Sequence, residues 1–412
     1  MSTKIIPKDW IKINLGVACD FERGIEPGAD AYNTDGVGER FLRVAEVTES
    51  RDNPIYVDIQ TAKKLTKNDI AFTLDGTVGA VKTGLEGIYS TGVRKVSFKH
   101  QNNSNRLLYY ILQSTDIQKI IDLYASGSTI RHASSAIPHL TTTIPSSLIE
   151  QEKIAEILSA IDDAIEKTDL LIGKYKRVKM GMMQDLFRYG VDKNGEIRSE
   201  RTARFKNSRV GRIPEEWKVE KIKSAVKFPT GQVDPRKSSF KEMILIAPDH
   251  VEQGTGKILE FKTTEEQGAI SGKYFSKKGS VVYSKIRPNL AKVAFPNFDC
   301  LCSADMYPLL PATDRLLNTY LFFSLLTHRF TEFATISSAR SNFPKINRSE
   351  LGNYDLLVPE FEEQERISKL LTAANEAIEK EELYKQKLLS VKTGLMEDLL
   401  MGTTRVNDLI KK

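Results

Sequence analysis

Two stretches of the chain carry apolar residues at an alternating spacing of four and three. In the first, Ile154, Leu158, Ile161, Ile165, Ile172, Tyr175, Met182 and Leu186 form the stripe, and Ile157, Ala164, Leu171 and Val178 widen it. In the second, Ile367, Leu371, Ala374, Ile378, Leu388, Leu395 and Leu399 do the same, widened by Leu370, Ala377, Tyr384 and Val391. A period near 3.5 held over about five heptads predicts two long helices with coiled-coil-like packing. Neither stretch contains proline, and Gly173, Gly181 and Gly394 weaken a helix without forbidding it. About 36 residues at ~1.5 Å rise make a rod of roughly 54 Å. Two stripes of matched length in one chain are expected to pack on each other. Lys179 and Lys392 interrupt them late and are expected at solvated edges, while Thr168 and Glu381 interrupt them midway.

The stripes are copies of one sequence. Gln151-Glu152-Lys153-Ile154 reappears 213 positions later as Gln364-Glu365-Arg366-Ile367, and the match runs without a gap to Asp185-Leu186 and Asp398-Leu399. Upstream, Pro7-Lys8-Asp9-Trp10 returns as Pro214-Glu215-Glu216-Trp217, and these are the only two tryptophans. At the offset of this second match, 207 positions, Gly24 meets Gly231. Between tryptophan and helix, each half alternates short apolar strands with turns, such as Phe41–Ala45, Asp69–Thr73 and Gly92–Phe98, then Met243–Ala247 and Ser280–Ser284. Each half also holds a shorter helix, Leu107–Asp122 and Asn318–Phe333. The expected fold class is therefore α+β: two α/β globules in tandem, each followed by a long helix. The expected divisions are 1–149 (first globule), 150–188 (central helical repeat), 189–212 (basic linker), 213–358 (second globule), 359–401 (C-terminal helical repeat) and 402–412 (tail). Residues 28–66 and 234–276 barely align, so a shared frame carries different surfaces.

Composition narrows the function. At 412 residues the chain can hold several cores. No apolar run spans a membrane, and Met1-Ser2-Thr3-Lys4 lacks the apolar core of a signal peptide, so a cytoplasmic protein is expected. Three cysteines (Cys19, Cys300, Cys302) suit a reducing compartment. Cys300-x-Cys302 lacks a second ligand pair and reads as buried strand. A net charge of +6 permits an anionic partner. The basic run Arg198–Arg212 fits a solvated linker or a DNA-facing one equally well.

Catalytic signatures are missing. There are no adjacent prolines of the kind an amino-methyltransferase loop uses, and no phosphate-cradling Gly-x4-Gly-Lys-Ser/Thr. Gly254-Thr255-Gly256-Lys257 lacks the spaced glycine and the hydroxyl residue, and reads as a hairpin turn. The five histidines form no His-Glu-x-x-His pattern, and no Gly-x-Ser-x-Gly elbow occurs. A non-enzyme without cofactor or metal is expected.

The order of motifs resembles the DNA-specificity subunit of type I restriction–modification systems along essentially the whole chain. The diagnostic pieces are the twin Gln-Glu-(Lys/Arg)-Ile starts after Ile144-Pro145 and Val358-Pro359. Met183–Phe187 followed by Gly190–Arg198, and Gly211–Trp217, complete the set. One departure is an extra residue after Pro145 relative to Pro359. The resemblance implies two target-recognition domains, with the long helices packed as an antiparallel coiled coil in pseudo-twofold relation. Each globule would read one half of a bipartite, asymmetric double-stranded DNA site, and the helices would set the unread spacer. Half-sites one turn apart lie roughly 34–36 Å from each other, which a ~54 Å rod with inward-overhanging globules can serve. It also implies partners: methylase (modification) subunits, two of them, using S-adenosylmethionine, and ATP-dependent restriction subunits. Those cofactors would belong to the partners.

Readout of base edges needs Arg, Lys, Asn, Gln, Ser or Thr on loops. In the second globule Lys285, Arg287, Asn289 and Lys292 lie on one polar turn, and Arg340, Ser341, Asn342 and Lys345 on another. The matching loops of the first hold Thr73 and Thr77, then Ser128, Thr129 and Arg131. Arg23, with Thr230 and Gln232, marks a third pair around Gly24 and Gly231. The competing expectation is a coiled-coil protein-interaction scaffold without sequence-specific DNA binding.

Overall fold

The computed structural model describes residues 7–49, 53–339 and 343–410. It divides into two compact units whose boundaries cut both long helices: Met1–Leu170 with Leu383–Lys412, and Leu171–Glu382. The helices themselves run Leu148–Tyr189 and Phe361–Met401. Each helix starts in one unit and ends in the other.

The first unit centres on an antiparallel sheet in the order Cys19–Arg23, Val93–Phe98, Ile70–Thr73, Val81–Lys82. The second repeats it as Val226–Lys227, Met306–Pro311, Val281–Ser284, Val293–Ala294. A ribbon of Trp10–Asn14 with Thr141–Pro145 closes the first globule, and Lys218–Lys221 with Asp355–Val358 closes the second. Each sheet is backed by a helix pair, Asn105–Gln113 with Thr115–Tyr124 and Asn318–Leu325 with His328–Ser338. The expected single short helix in each half is thus two. Ser114 and Thr327 stand at the breaks; Ser114 turns extended there, and the Thr327 hydroxyl accepts from the Phe330 amide.

The globules differ in their second sheet. The first has five strands, among them Glu39–Leu42 and Gly87–Tyr89, whereas the second has three, Leu245–Ile246, Cys300–Cys302 and Tyr274–Ser276. This is the region where the sequences barely align. Cys300 and Cys302 are fully buried strand residues. Gly254–Lys257 is a turn whose Lys257 Nζ donates to Glu382 at 2.9 Å.

The repeated Gln-Glu motif has a mechanical explanation. Gln151 is fully buried; its Oε1 accepts from the Ser104 amide, and its Nε2 donates to the Pro145 carbonyl and Asn103. Gln364 does the same with the Leu317 amide and the Pro359 and Arg315 carbonyls. Each glutamine welds a helix start to its globule, because an unpaired buried amide is costly. The acid before it is clamped as well. Glu150 receives Arg405, which also holds Asp9; Glu363 receives Arg198, whose Nη2 also reaches Glu216 at 3.5 Å. Both arginines follow a helix that ends at a left-handed glycine, Gly190 (φ 68) and Gly402 (φ 71).

Within the first unit Ile154 and Leu158 share a core with Leu399, and within the second Leu186 shares one with Ile367 and Leu371. Asp162 pairs with Lys392 and Asp169 with Lys385, each at 2.6 Å. Seven residues forward on one helix match seven back on the other, so the packing is antiparallel.

Several expectations fail here. Val178, Tyr384 and Val391 are about half exposed, so the buried seam is narrower than the apolar stripe. Lys179 is not at a solvated edge: it is buried near Glu252 and Glu379, and burial lowers its pKa. Lys392 likewise sits over the Tyr110 ring beside Asp162. Thr168 is accommodated by back-bonding to the Ala164 carbonyl at 2.8 Å. The basic stretch is folded: Phe205–Ser208 and Gly211–Pro214 form a hairpin, and Arg198, Arg209 and Arg212 pair with Glu363, Asp355 and Glu200.

Candidate nucleic-acid interface

In the first globule, the turn leaving the Ile70–Thr73 strand is laced to the loop after the second short helix. The Gly76 amide donates to the Arg131 carbonyl at 2.8 Å, and the Ala133 amide to the Leu74 carbonyl at 2.8 Å. His132 Nδ1 lies 2.7 Å from Asp75 Oδ1. Beneath them Arg94, buried, donates to Asp75 Oδ2 at 3.3 Å and to Ser134 at 3.0 Å. Burial pulls its pKa down, partly offset by Asp75. Arg94 is also the register partner of Arg23.

The second globule repeats this lacing. The Arg287 amide donates to the Pro344 carbonyl at 2.8 Å, and the Ile346 amide to the Lys285 carbonyl at 2.9 Å. Lys345 Nζ reaches Asp305 Oδ1 at 3.2 Å. Lys285 is half-buried with its amine over the Tyr307 ring; burial lowers its pKa, as do Lys345 and Arg348. Arg348 lies over the rings of Tyr274 and Tyr307 and donates to the Pro229 carbonyl at 3.1 Å. It thereby ties the Thr230–Gln232 loop to the Lys345 segment.

Most of the expected residues reach solvent on these loops. Arg23, Thr77, Ser128, Thr129, Arg131, Thr230, Gln232, Arg287, Asn289 and Lys345 are exposed. Two do not belong. Thr73 is fully buried with its hydroxyl engaged by Ala80, and the Lys292 amine is spent on the Pro248 carbonyl at 2.7 Å. Thr73 is the last residue of its strand, and Lys292 directly precedes the Val293–Ala294 strand. Arg340, Ser341 and Asn342 lie outside the described residues. Gly24 and Gly231 play different parts: a Cβ on Gly24 would strike the Tyr89 and Ser90 carbonyls, whereas Gly231 (φ 89) stands in open space. Sequence reading omitted His132, Arg94 and Arg348 from the set. Only His132, beside Arg131, carried a signal, since the other two act through partners distant in sequence.

Two laced loop pairs thus stand at the same place in two copies of one frame. The family model for the type I restriction modification DNA specificity domain matches residues 7–172 and again 214–388. The chain belongs to the type I restriction–modification DNA-specificity family. It is 28% identical over 390 residues to the EcoDI specificity subunit of Escherichia coli, covering 89% of this chain and 81% of that one. To the MjaVIII specificity subunit of Methanocaldococcus jannaschii it is 25% identical, covering 98% and 95%. The fold matches the crystal structure of the type I system S subunit from M. genitalium with a TM-score of 0.62 at 14% identity, covering 97% and 98%. As a specificity subunit of this family, the chain carries one copy of the domain per unit. No helix among the described residues is long and apolar enough to cross a membrane.

Proposed function

We propose that each globule reads one half of an asymmetric, bipartite double-stranded DNA sequence through its laced loops. The carrying observation is that the two loop pairs have the same backbone hydrogen bonds and unlike side chains: Asp75, Gly76 and His132 in one, Ile286, Arg287 and Lys345 in the other. An invariant frame with variable tips suits two readers of different sequence. Arg23, Thr77, Ser128, Thr129 and Arg131 are the contacts assigned to the first half-site; Thr230, Gln232, Lys285, Arg287, Asn289 and Lys345 serve the second. The long helices set the spacer, since each begins in one unit and ends in the other. Two methylase subunits dock on them, where Leu170, Leu383, Tyr384, Leu389 and Val391 of the first unit expose apolar surface. ATP-dependent restriction subunits join that cytoplasmic assembly. The chain itself supplies recognition and no catalysis.

Titration of the chain with its methylase against duplex DNA at rising salt tests this. Phosphate contacts make affinity fall steeply with salt. Sequence-independent binding, or none, favours the protein scaffold.

A further inference from the structure

The loop equivalence places a glycine and an arginine at the same strained position. Gly76 is left-handed (φ 80), as glycine readily is. Its counterpart Arg287 is also left-handed, at φ 46 and ψ 61. Only Arg287 and Ala291, four residues on, have positive φ without being glycine among the described residues. A left-handed side-chain-bearing residue is disfavoured by its Cβ, and a following proline, here Pro288, pushes its predecessor towards extended backbone. Two local rules thus oppose this conformation, and the loop imposes it by seating the Arg287 amide on the Pro344 carbonyl.

The side chain supplies nothing to the fold in return. Arg287 is exposed, and its guanidinium has no partner among the described residues. Lys285, two residues back, has Lys345 and Arg348 around it, and Asp305 is already taken by Lys345. An arginine fixed at backbone cost, unpaired, on a turn whose Lys285 already meets Lys345 and Arg348, is arranged for an external acceptor.

We propose that Arg287 is the specificity-determining residue of the second globule, reading a guanine through bidentate hydrogen bonds to O6 and N7. This rests on the DNA-reading function above. A phosphate contact would need only charge on a flexible stem, which Lys345 provides. A base contact needs the planar fork in one orientation, and that is what a fixed Cα direction secures. The first globule, with Gly76 there, has no such finger.

The test is selection of sequences from a randomised duplex library by the full chain with its methylase, beside thermal unfolding. Arg287→Gly relieves the backbone and should raise Tm by about 2–4 °C. It should also lower discrimination at one guanine of one half-site by roughly 10- to 100-fold, leaving the other half-site intact. Arg287→Lys should keep overall affinity but lose the same discrimination. If Arg287→Gly retains the native motif, or weakens all sequences equally, the assignment of base reading is overturned. A lowered Tm would make the side chain structural and overturn it too. A native chain that enriches no sequence would instead overturn the DNA-reading function itself.

Discussion

Arg198 and Glu363, 165 residues apart in sequence, meet in a buried ion pair at the end of one long helix and the start of the other. Glu363 also accepts from the Val191 amide at 2.9 Å and from the Trp217 indole at 3.2 Å. Among the described residues, its counterpart Glu150 accepts from Arg405 alone, through Nε at 2.8 Å and Nη2 at 3.0 Å, and the Trp10 indole is buried without a partner. Removing one member of a buried pair leaves an uncompensated charge and costs about 3 kcal/mol or more. Glu363→Gln should therefore destabilise the chain by roughly 3 kcal/mol, and Glu150→Gln by clearly less. Urea unfolding of the two variants checks the order; equal losses would show that the extra donors to Glu363 contribute nothing.

Gln151 and Gln364 make matched sets of three hydrogen bonds while fully buried. Replacement by leucine keeps volume and leaves backbone groups unpaired, at about 1–3 kcal/mol for each stranded buried group. Gln151→Leu and Gln364→Leu should lower stability by similar amounts. Hydrogen exchange should show earlier opening at residues 148–158 in the first variant and 361–371 in the second. Uniform change along the chain would contradict the local weld.

How much of this was legible in advance follows from the range of the interactions. The long helices were readable because Ile154, Leu158, Ile367 and Leu371 repeat at helical spacing, a local signal. The twin glutamines were visible as a repeat, but their bonds to Ser104 and Leu317 reach 47 residues back and have no sequence mark. The seam came out narrower than the stripe because apolar identity does not say which side faces a neighbour: Val178 and Val391 face solvent. Lys179 and Lys392 looked like edges because a buried lysine depends on acids elsewhere in the fold. The candidate loops were found as polar turns, yet Thr73 looks like a loop residue and points inward at the last strand position. Nothing local announces that Arg287 is left-handed, since sequence rules argue against it.

All three cysteines are buried, and burial pushes the Cys19 and Cys300 thiols up to about 12 and Cys302 higher still. Thiolate is the reactive form. Native protein at pH 8 should leave Cys19, Cys300 and Cys302 unmodified by a thiol-specific reagent, and denatured protein should react at all three. Rapid labelling of the native chain at any of them would contradict the packing.

If the helices set the spacer, adding four residues that continue the apolar pattern to both should lengthen it. The insertions belong between Leu170 and Leu171 and between Glu382 and Leu383, where the compact units divide. Four helical residues add about 6 Å, equivalent to about 1–2 base pairs at ~3.4 Å each. The half-sites should stay the same while the spacer grows; altered half-sites with a fixed spacer would refute the role of the helices.

The most direct measurement is long-read methylation mapping in cells co-expressing the chain with its methylase, native and with the Lys285–Ala291 turn replaced. The account predicts a bipartite asymmetric motif around an unread spacer, with the replacement altering one half only. A continuous motif, no motif, or a change in both halves would contradict it.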